Sequence, residues 1–344
     1  MKHLLPLIIF AALWLSACRD DIIVDNTPEN VFLTFWTILD KNYPYFIERG
    51  IDWDSVYTTC YPRAKAARSD EELVVVLTEI IRRLNDRHLG ILTFEDGIIG
   101  SITPEQTDTL KHEYCSVFHN YGFYQNSYSY PTDFLSDTIK KISYVDIYSF
   151  SNVTFEYYNM ERFGTYMDPP NCKNGLIIDI RDNGGGNARI MMDIVSHFFE
   201  NERIVFYTSH KTGKGHSDFG KQEAIRLKGK GTLPESVPIV LLIGKDTYSA
   251  GNDFAYIMND LPNVTLMGEQ SGGGGGTIRE VLLPNNWILR YPYMKTYSST
   301  GANMEFGIEP DIYMERQTAN FDTIENKDPL IVKALEILDS INGI

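Results

Sequence analysis

From Ile142 onward, short runs of β-branched and aliphatic residues alternate with stretches that have helical spacing. The β-rich runs are 142–147, 175–180, 204–207, 238–243, 264–267, 281–283 and 287–291, and the helical stretches lie near 187–199 and 250–259. Such alternation is typical of an α/β domain in which helices connect the strands of a sheet. We therefore predict an α/β core over residues 142–344, with a last helix at 329–341 that packs back on it.

The region before this core has a helical pattern. Apolar and aromatic residues recur at helical spacing in 31–45, and again in 73–84. These stretches predict a small N-terminal helical domain over 28–95, followed by a connecting segment over 96–141. A chain of 344 residues with 43% hydrophobic content is large enough for two modest domains with separate cores.

The amino end has the pattern of a secretion signal. Lys2 and His3 precede an apolar run over 4–15, which is too short to span a bilayer as a mature helix. The run ends in Leu15-Ser16-Ala17-Cys18, which resembles a bacterial lipobox. This predicts a lipoprotein signal peptide over 1–17, a lipid on Cys18, a tether over 18–27 and a lipid-anchored location in the cell envelope.

The net charge limits the kind of partner, and the cysteine content bears on whether disulfides can be predicted. The formal net charge of −15 argues against nucleic acid, which requires a basic surface, and is compatible with a peptide or protein substrate. Apart from Cys18, the cysteines are an odd number scattered through the chain: Cys60, Cys115 and Cys172. No disulfide framework can therefore be derived from them.

A serine follows one of the buried strands in a turn of small residues. The segment Lys245-Asp246-Thr247-Tyr248-Ser249-Ala250-Gly251-Asn252 comes directly after the apolar run 238–243 and before a helical stretch. A strand, a tight turn and a helix can lift a serine hydroxyl out of a sheet edge, and the N–H groups at the helix start favour developing negative charge. We interpret Ser249 as the nucleophile of a serine hydrolase.

A second junction of this kind contains three consecutive glycines. The strand Gly175 to Ile180 is followed by Arg181-Asp182-Asn183-Gly184-Gly185-Gly186-Asn187. Glycines allow a sharp turn with N–H groups directed into a cavity, as in an oxyanion hole. Taken alone, the segment is equally compatible with a plain glycine-rich turn.

Several segments together resemble a known family. The runs from Asp179 and Thr247 resemble the two signature segments of the C-terminal-processing protease and tricorn family of serine peptidases. Supporting segments, in the family's order, are 84–88, 268–273 and 305–311. The resemblance covers most of the chain from about Val31 and implies a spiral core like those of Clp protease and crotonase.

Branches of the family differ in the base that activates the serine. In the processing-protease branch a lysine follows the serine within a Gly-Lys-Gly segment, and Gly274 occupies that position. The resemblance therefore implies the tricorn-like branch, with a histidine base after a Leu-x-Asp-x-His pattern, which His88 matches. The segment 96–141 is too short for the PDZ domain that usually accompanies the lysine. Residues 272–276 are predicted to form a flexible loop beside the cleft.

The resemblance implies a role for each candidate residue. His88 would accept the proton of Ser249, Glu305 would orient the imidazole, and the backbone N–H groups of Gly185 and Ala250 would hold the oxyanion. The reaction would proceed through an acyl-enzyme without metal or cofactor. The sequence leaves Glu309 and Asp86 open as the orienting acid. The other histidines are less suited as the base: His112, His119, His197, His210 and His216.

Two other functions remain compatible with the same core. A non-catalytic protein that binds apolar ligands or peptides would be favoured by an apolar cavity with the serine buried away from solvent. A crotonase-like enzyme acting on thioesters would lack a serine within reach of a histidine. The cleaved peptide and the oligomeric state cannot be derived from the sequence.

Overall fold

The computed structural model describes residues 25–92, 142–151, 172–316 and 328–343. The predicted signal peptide (1–17), Cys18 and the connecting segment (96–141) lie outside these residues. The α-helices within these residues are α1 (Pro28–Asn42), α2 (Trp53–Ala66), α3 (Asp70–Leu84), α4 (Ala188–Val195), α5 (Ala250–Asn259) and α6 (Pro329–Asn342). Among them, none has the length and apolar character needed to cross a membrane.

The strands of the described residues fall into three sheets. They are β1 (Gly90–Leu92), β2 (Ile142–Asp146), β3 (Gly175–Asp179), β4 (Arg203–His210), β5 (Glu223–Leu227), β6 (Ile239–Ile243), β7 (Val264–Gly268), β8 (Ile278–Leu282), β9 (Ile288–Pro292), β10 (Met294–Ser298) and β11 (Ile312–Tyr313). A parallel sheet has the order β11-β7-β6-β3-β2, and two smaller antiparallel sheets have the orders β1-β9-β8 and β10-β4-β5. The prediction of an α/β fold with a helical N-terminal region is confirmed.

The parallel sheet is covered on both faces. Its central strands β3 and β6 are buried along their whole length, which explains their continuous apolar runs. Residues of α4 and α5 pack on one face, in a core that includes Ile178, Leu241 and Phe254. Residues of α6 pack on the other face, against Ile177 and Val240. The carboxyl ends of β3 and β6 therefore meet at one edge, where ligand sites of such sheets form.

The helical region packs against the β8–β9 hairpin. Its apolar core includes Phe32, Trp53 and Leu77 from α1, α2 and α3, together with Leu289 and Tyr291 from the core domain. Strand β1 also pairs with β9. The N-terminal region is thus joined to the rest of the chain by a shared apolar core and a shared sheet, so α3 and the turn after it lie against the α/β core.

That turn is shaped by the end of α3. Ser69 caps the start of the helix by accepting the N–H of Glu72, and Asn85 ends it in a left-handed conformation, with φ of 47°. A left-handed residue after a helix reverses the chain, and asparagine tolerates this conformation better than most residues. The reversal directs Asp86, Arg87 and His88 toward β1.

Candidate active site

Ser249 stands between β6 and α5 in a strained backbone conformation. Its φ is 54° and its ψ is −123°, a region that favours glycine. The Ser249 N–H donates to the carbonyl oxygen of Gly273 at 2.8 Å, and its own carbonyl accepts the N–H of Asp253 at 2.9 Å. The residue is half-buried. A strained serine on a sharp turn between strand and helix is the arrangement that presents a nucleophilic hydroxyl.

The triple-glycine turn lies directly beside Ser249. A Cβ on Gly185 would come within 2.8 Å of the Ser249 Cβ. The Gly185 N–H, however, donates to Oδ1 of Asn183 at 2.9 Å, so Gly185 can bind an oxyanion only if Asn183 releases it. The Ala250 N–H has no hydrogen-bond partner among the described residues. Ala250 is therefore free to receive an oxyanion, while the role of Gly185 stays a prediction.

His88 is buried against the turn that carries Ser249. Its backbone N–H donates to Oδ1 of Asp86 at 2.8 Å, and its imidazole packs on the ring of Tyr248, with centroids 4.8 Å apart. Burial lowers the pKa of His88 from 6.5 to about 4. Asp86 opposes this shift, and nearby cations reinforce it: Arg290, Arg87 and Arg49. His88 is therefore neutral near pH 7, the form that can accept a proton.

Glu305 lies in a short 3-10 turn, Met304–Phe306, and is buried. Its Oε1 accepts a hydrogen bond from Nη2 of Arg49, and the two groups form an ion pair. Burial raises the pKa of Glu305, and the nearby Asp86 carboxylate raises it further, whereas Arg49 opposes the rise. The role of Arg49 cannot be predicted from the sequence, because Glu305, with which it pairs, lies 256 positions away.

Arg49 also holds the turn that carries the histidine. Its Nη1 donates to the carbonyl oxygen of Asn85 at 2.5 Å, and its Nη2 lies 3.9 Å from Oδ2 of Asp86. That oxygen of Asp86 accepts the hydroxyl of Tyr43 at 2.8 Å. One guanidinium therefore connects the Glu305 turn of the core to the His88 turn of the helical region.

Ser249, His88 and Glu305 are not joined by hydrogen bonds within the described residues. Nδ1 of His88 and Oε2 of Glu305 are both buried there without a hydrogen-bond partner. Both oxygens of Asp86 are engaged, and Glu309 is exposed. Of the three acids considered from the sequence, Glu305 thus retains a free buried oxygen, and its role stays a prediction.

The other histidines within the described residues have different surroundings. His197 contacts Thr232 and Lys230. His216 pairs with Asp40, and the His210 ring lies beside Tyr293. His112 and His119 lie outside the described residues. Within the part of the chain that the structure describes, His88 is the histidine that contacts the Ser249 turn.

Comparison with known proteins places the chain in a family. The model of peptidase family S41 matches residues 141–314, and the model of the tricorn protease C1 domain matches residues 25–82. The first match covers half of the chain and includes both Ser249 and Glu305. The chain belongs to peptidase family S41.

Relatives of this S41 chain include carboxy-terminal-processing proteases. This chain is 27% identical over 150 residues to the carboxy-terminal-processing protease of Bartonella bacilliformis, and the match covers 43% of this chain and 32% of the relative. It is 25% identical over 171 residues to that of Synechocystis sp., covering 49% and 37%. The matches thus span about a third of the curated relatives' length. A crystal structure of a candidate peptidase from Parabacteroides merdae has 28% identity and a TM-score of 0.72, covering 91% of this chain and 97% of that one.

The glycine segment 272–276 differs from its prediction in this S41 chain. It is not a loose loop, because Gly273 accepts the Ser249 N–H and the Gly274 N–H donates to the Glu305 carbonyl at 2.9 Å. Most of the segment is buried. The expectation of flexibility came from composition alone. Here the missing side chains allow the segment to pass between the Ser249 turn and the Glu305 turn and bond to both.

A single methyl group on Gly273 should destabilise this arrangement. Gly273 has φ of +81°, and a Cβ would lie 2.0 Å from the Glu305 carbonyl oxygen. We expect Gly273→Ala to lower the free energy of unfolding by about 2–5 kcal/mol, combining backbone strain with overpacking. Gly301→Ala is the matched control, since Gly301 has φ of +90° but nothing within 4 Å. Urea denaturation measures both, and an equal loss in the two variants would contradict the steric argument.

A cavity of about 670 Å³ opens beside the site of this S41 chain. Most of its lining residues are charged or polar by type: Arg49, Asn85, Arg87, Lys245, Glu269, Gln270, Ser271, Glu305 and Glu309, with the aromatic Tyr248, Phe306 and Tyr313. The non-catalytic alternative called for an apolar cavity and a serine buried away from solvent. Neither feature is present at this cavity or at Ser249 in the described residues, so nothing favours that alternative.

Proposed function

We propose that this protein is a serine peptidase that hydrolyses peptide bonds through an acyl-enzyme on Ser249, with His88 as the general base. The observation that carries the proposal is the strained Ser249 at the start of α5, next to the unengaged Ala250 N–H, within a chain of family S41. A serine held at φ of 54° costs stability, and such strain is found where a side chain must be aimed.

The steps follow from the chemistry of these groups. The Ser249 oxygen attacks the carbonyl carbon of the peptide bond as its proton passes to His88, and the Ala250 N–H stabilises the resulting oxyanion. His88 then gives the proton to the leaving amine, and the C–N bond breaks. Water, activated by His88, hydrolyses the ester to release the acid and restore the serine.

The hydrogen bonds among Ser249, His88 and Glu305 have to form when the substrate binds. The proposal requires the His88 imidazole and the Ser249 hydroxyl to come within hydrogen-bond distance in the substrate complex, where such contacts often tighten. It also assigns Oε2 of Glu305 to Nδ1 of His88, since both atoms are buried and unpartnered among the described residues. That contact would stabilise the imidazolium formed during attack.

Labelling with a fluorophosphonate probe tests the proposal. The mature wild-type protein should be labelled at Ser249, located by mass spectrometry, and Ser249→Ala and His88→Ala should abolish labelling. Ser217→Ala, which changes an exposed serine of a surface turn, is the control and should be labelled like the wild type. A folded wild-type protein that does not react would contradict the proposal.

We propose oligopeptides or protein tails as the substrates. Support comes from the family and from its relatives that are named carboxy-terminal-processing proteases. A peptide library that includes matched free and amidated carboxyl ends tests this. Equal cleavage of both forms would exclude recognition of the free end, and the absence of cleavage in a protein that the probe labels would exclude peptides as the substrate class.

We further propose that a lipid on Cys18 anchors the protein in the cell envelope. Support comes from the apolar run 4–15 and the Leu15-Ser16-Ala17-Cys18 segment. Mass spectrometry of the N-terminal peptide from membrane fractions should find an acylated Cys18, and Cys18→Ala should release the protein from the membrane. An unmodified Cys18 in the membrane fraction would contradict this proposal.

A further inference from the structure

We propose that Tyr248 is the positioning residue of His88, whose imidazole it holds in place and separates from the water of the neighbouring cavity. This inference rests on the proposed function, because it assigns to Tyr248 an effect on the general base. The starting observation is the direct packing of the two rings, with centroids 4.8 Å apart and planes at 59°.

The Tyr248 ring cannot move freely. Its backbone N–H donates to the Asn183 carbonyl at 2.9 Å, and its carbonyl accepts the Gly251 N–H at 2.9 Å. The Arg87 guanidinium lies 4.4 Å from the ring centroid, a cation–π contact. Tyr248 is 4% exposed. The backbone that fixes Ser249 therefore also fixes the ring that contacts the histidine.

The Tyr248 ring occupies the space that a side chain at position 272 or 274 would need. A Cβ on Gly274 would lie 2.4 Å from Cζ of Tyr248, and a Cβ on Gly272 would lie 3.4 Å from its Cδ2. Gly274 stands where the processing-protease branch of the family has its lysine. An aromatic ring and a lysine side chain cannot both occupy this volume. Tyr248 thus accounts sterically for glycine at Gly274.

The ring also stands at the boundary between the cavity and the histidine. Tyr248 and Arg87 line the cavity of about 670 Å³, whereas His88 is not among the lining residues. His88 is 3% exposed. Removing the ring would open a path for cavity water to the imidazole, and solvation favours its charged form. The proton affinity of the base therefore depends on an uncharged neighbour.

The charged groups around His88 remain when the ring is removed. Asp86 favours the imidazolium, and three cations disfavour it: Arg290 on β9, Arg87 on the same turn, and Arg49 between α1 and α2. Because burial is the largest cause of the lowered pKa, loss of the ring should act on the dominant contribution. The expected direction is upward, from about 4 toward the ordinary 6.5.

NMR titration of histidine-labelled protein tests the inference without any need for activity. The His88 signal is assigned with His88→Gln. We expect Tyr248→Ala to raise the His88 pKa toward 6.5, and Tyr248→Phe, which restores the ring, to return it near the wild-type value of about 4. The pH at which probe labelling of Ser249 declines in acid should move with it. The rate of labelling at neutral pH should fall on the order of 100-fold in Tyr248→Ala, because the base loses its orientation.

Tyr293→Ala is a matched control. Tyr293 also lies beside a histidine, His210, at 5.9 Å, and beneath an arginine, Arg279, at 4.2 Å, but outside the site. It should leave the His88 pKa unchanged. If Tyr248→Ala does not fold, Tyr248→Leu provides the same test, since it lacks the outer ring atoms next to Gly274.

The outcomes separate this inference from the proposed function. A folded Tyr248→Ala or Tyr248→Leu protein with an unchanged His88 pKa overturns the role of Tyr248, even if Ser249 reacts with the probe. A raised His88 pKa in a protein whose wild type never reacts supports the contact and contradicts the peptidase. A rise in Tyr293→Ala as large as in Tyr248→Ala also overturns the inference, because it would be a general effect of lost packing.

Discussion

Replacing Ser249 by alanine should reduce kcat for peptide hydrolysis on the order of a million-fold, to the level given by the remaining binding and oxyanion groups. The loss should equal that of His88→Ala, and the double variant should lose no more, because the nucleophile and its base act as one unit. Alanine keeps the Cβ of Ser249, so the contacts with the Gly185 turn remain. The variant should therefore fold like the wild type.

Hydrolysis of an internally quenched peptide from the library screen measures this effect. Ser217→Ala should retain wild-type turnover, which excludes a general effect of losing a hydroxyl. Circular dichroism and the urea midpoint confirm that Ser249→Ala is folded. A folded Ser249→Ala protein that retains more than about one thousandth of the activity would place the nucleophile elsewhere, since the residual rate of a serine hydrolase without its serine is far smaller.

Above about pH 8, where buried Glu305 is ionised, Arg49→Met should cost about 3–5 kcal/mol of folding stability, because it leaves Glu305 and Asp86 without their cation. The Arg49 side chain is 12% exposed and the Glu305 side chain 1%, so water replaces little of the lost interaction. Methionine retains much of the apolar stem. Arg63→Met is the matched control: its ion pair with Glu79 is 46% and 34% exposed, and the loss should stay below about 1 kcal/mol.

The effect of Arg49→Met should depend on pH. The folded pKa of Glu305 is raised above its ordinary 4.5, so the contribution of this carboxyl to stability is largest in acid and is lost as pH rises through the folded pKa. Arg49 opposes that loss by favouring the ionised form. Without it the folded pKa of Glu305 should rise further, so the stability difference from wild type should grow as pH rises above about 8, the folded pKa in the wild type. Urea titrations at several pH values measure it, and a difference that shrinks with rising pH would contradict the assignment.

The fold could be predicted where local pattern and packing agree. Helix α5 has the predicted bounds, Ala250–Asn259, and the buried strands β3 and β6 end within one residue of their apolar runs. Helix α2 was not predicted, since its 14 residues include Pro62 and have no clear apolar stripe. Strand β5 was also missed, because Glu223–Leu227 is largely exposed and pairs with β4 through its backbone.

The site could be predicted in part. Ser249 and His88 belong to segments whose local order is unusual, and the structure brings His88 against the residue that precedes Ser249. Tyr43 lies near the end of the helical pattern 31–45 and Arg49 lies just beyond it. Their contacts with Asp86 and Glu305 depend on how distant turns meet, which that pattern does not determine. The hydrogen bond from Gly185 to Asn183 is likewise a detail of turn geometry that residue types do not determine.

The backbone conformation of Ser249 sets stability against activity. At φ of 54°, glycine would relieve a strain of about 1–3 kcal/mol, so Ser249→Gly should fold more stably than the wild type while lacking the hydroxyl. Selection for thermal resistance alone would favour that change. Screens for stabilised variants of this chain should therefore include an activity assay, because at this position the most stable variant is one that lacks the nucleophilic hydroxyl.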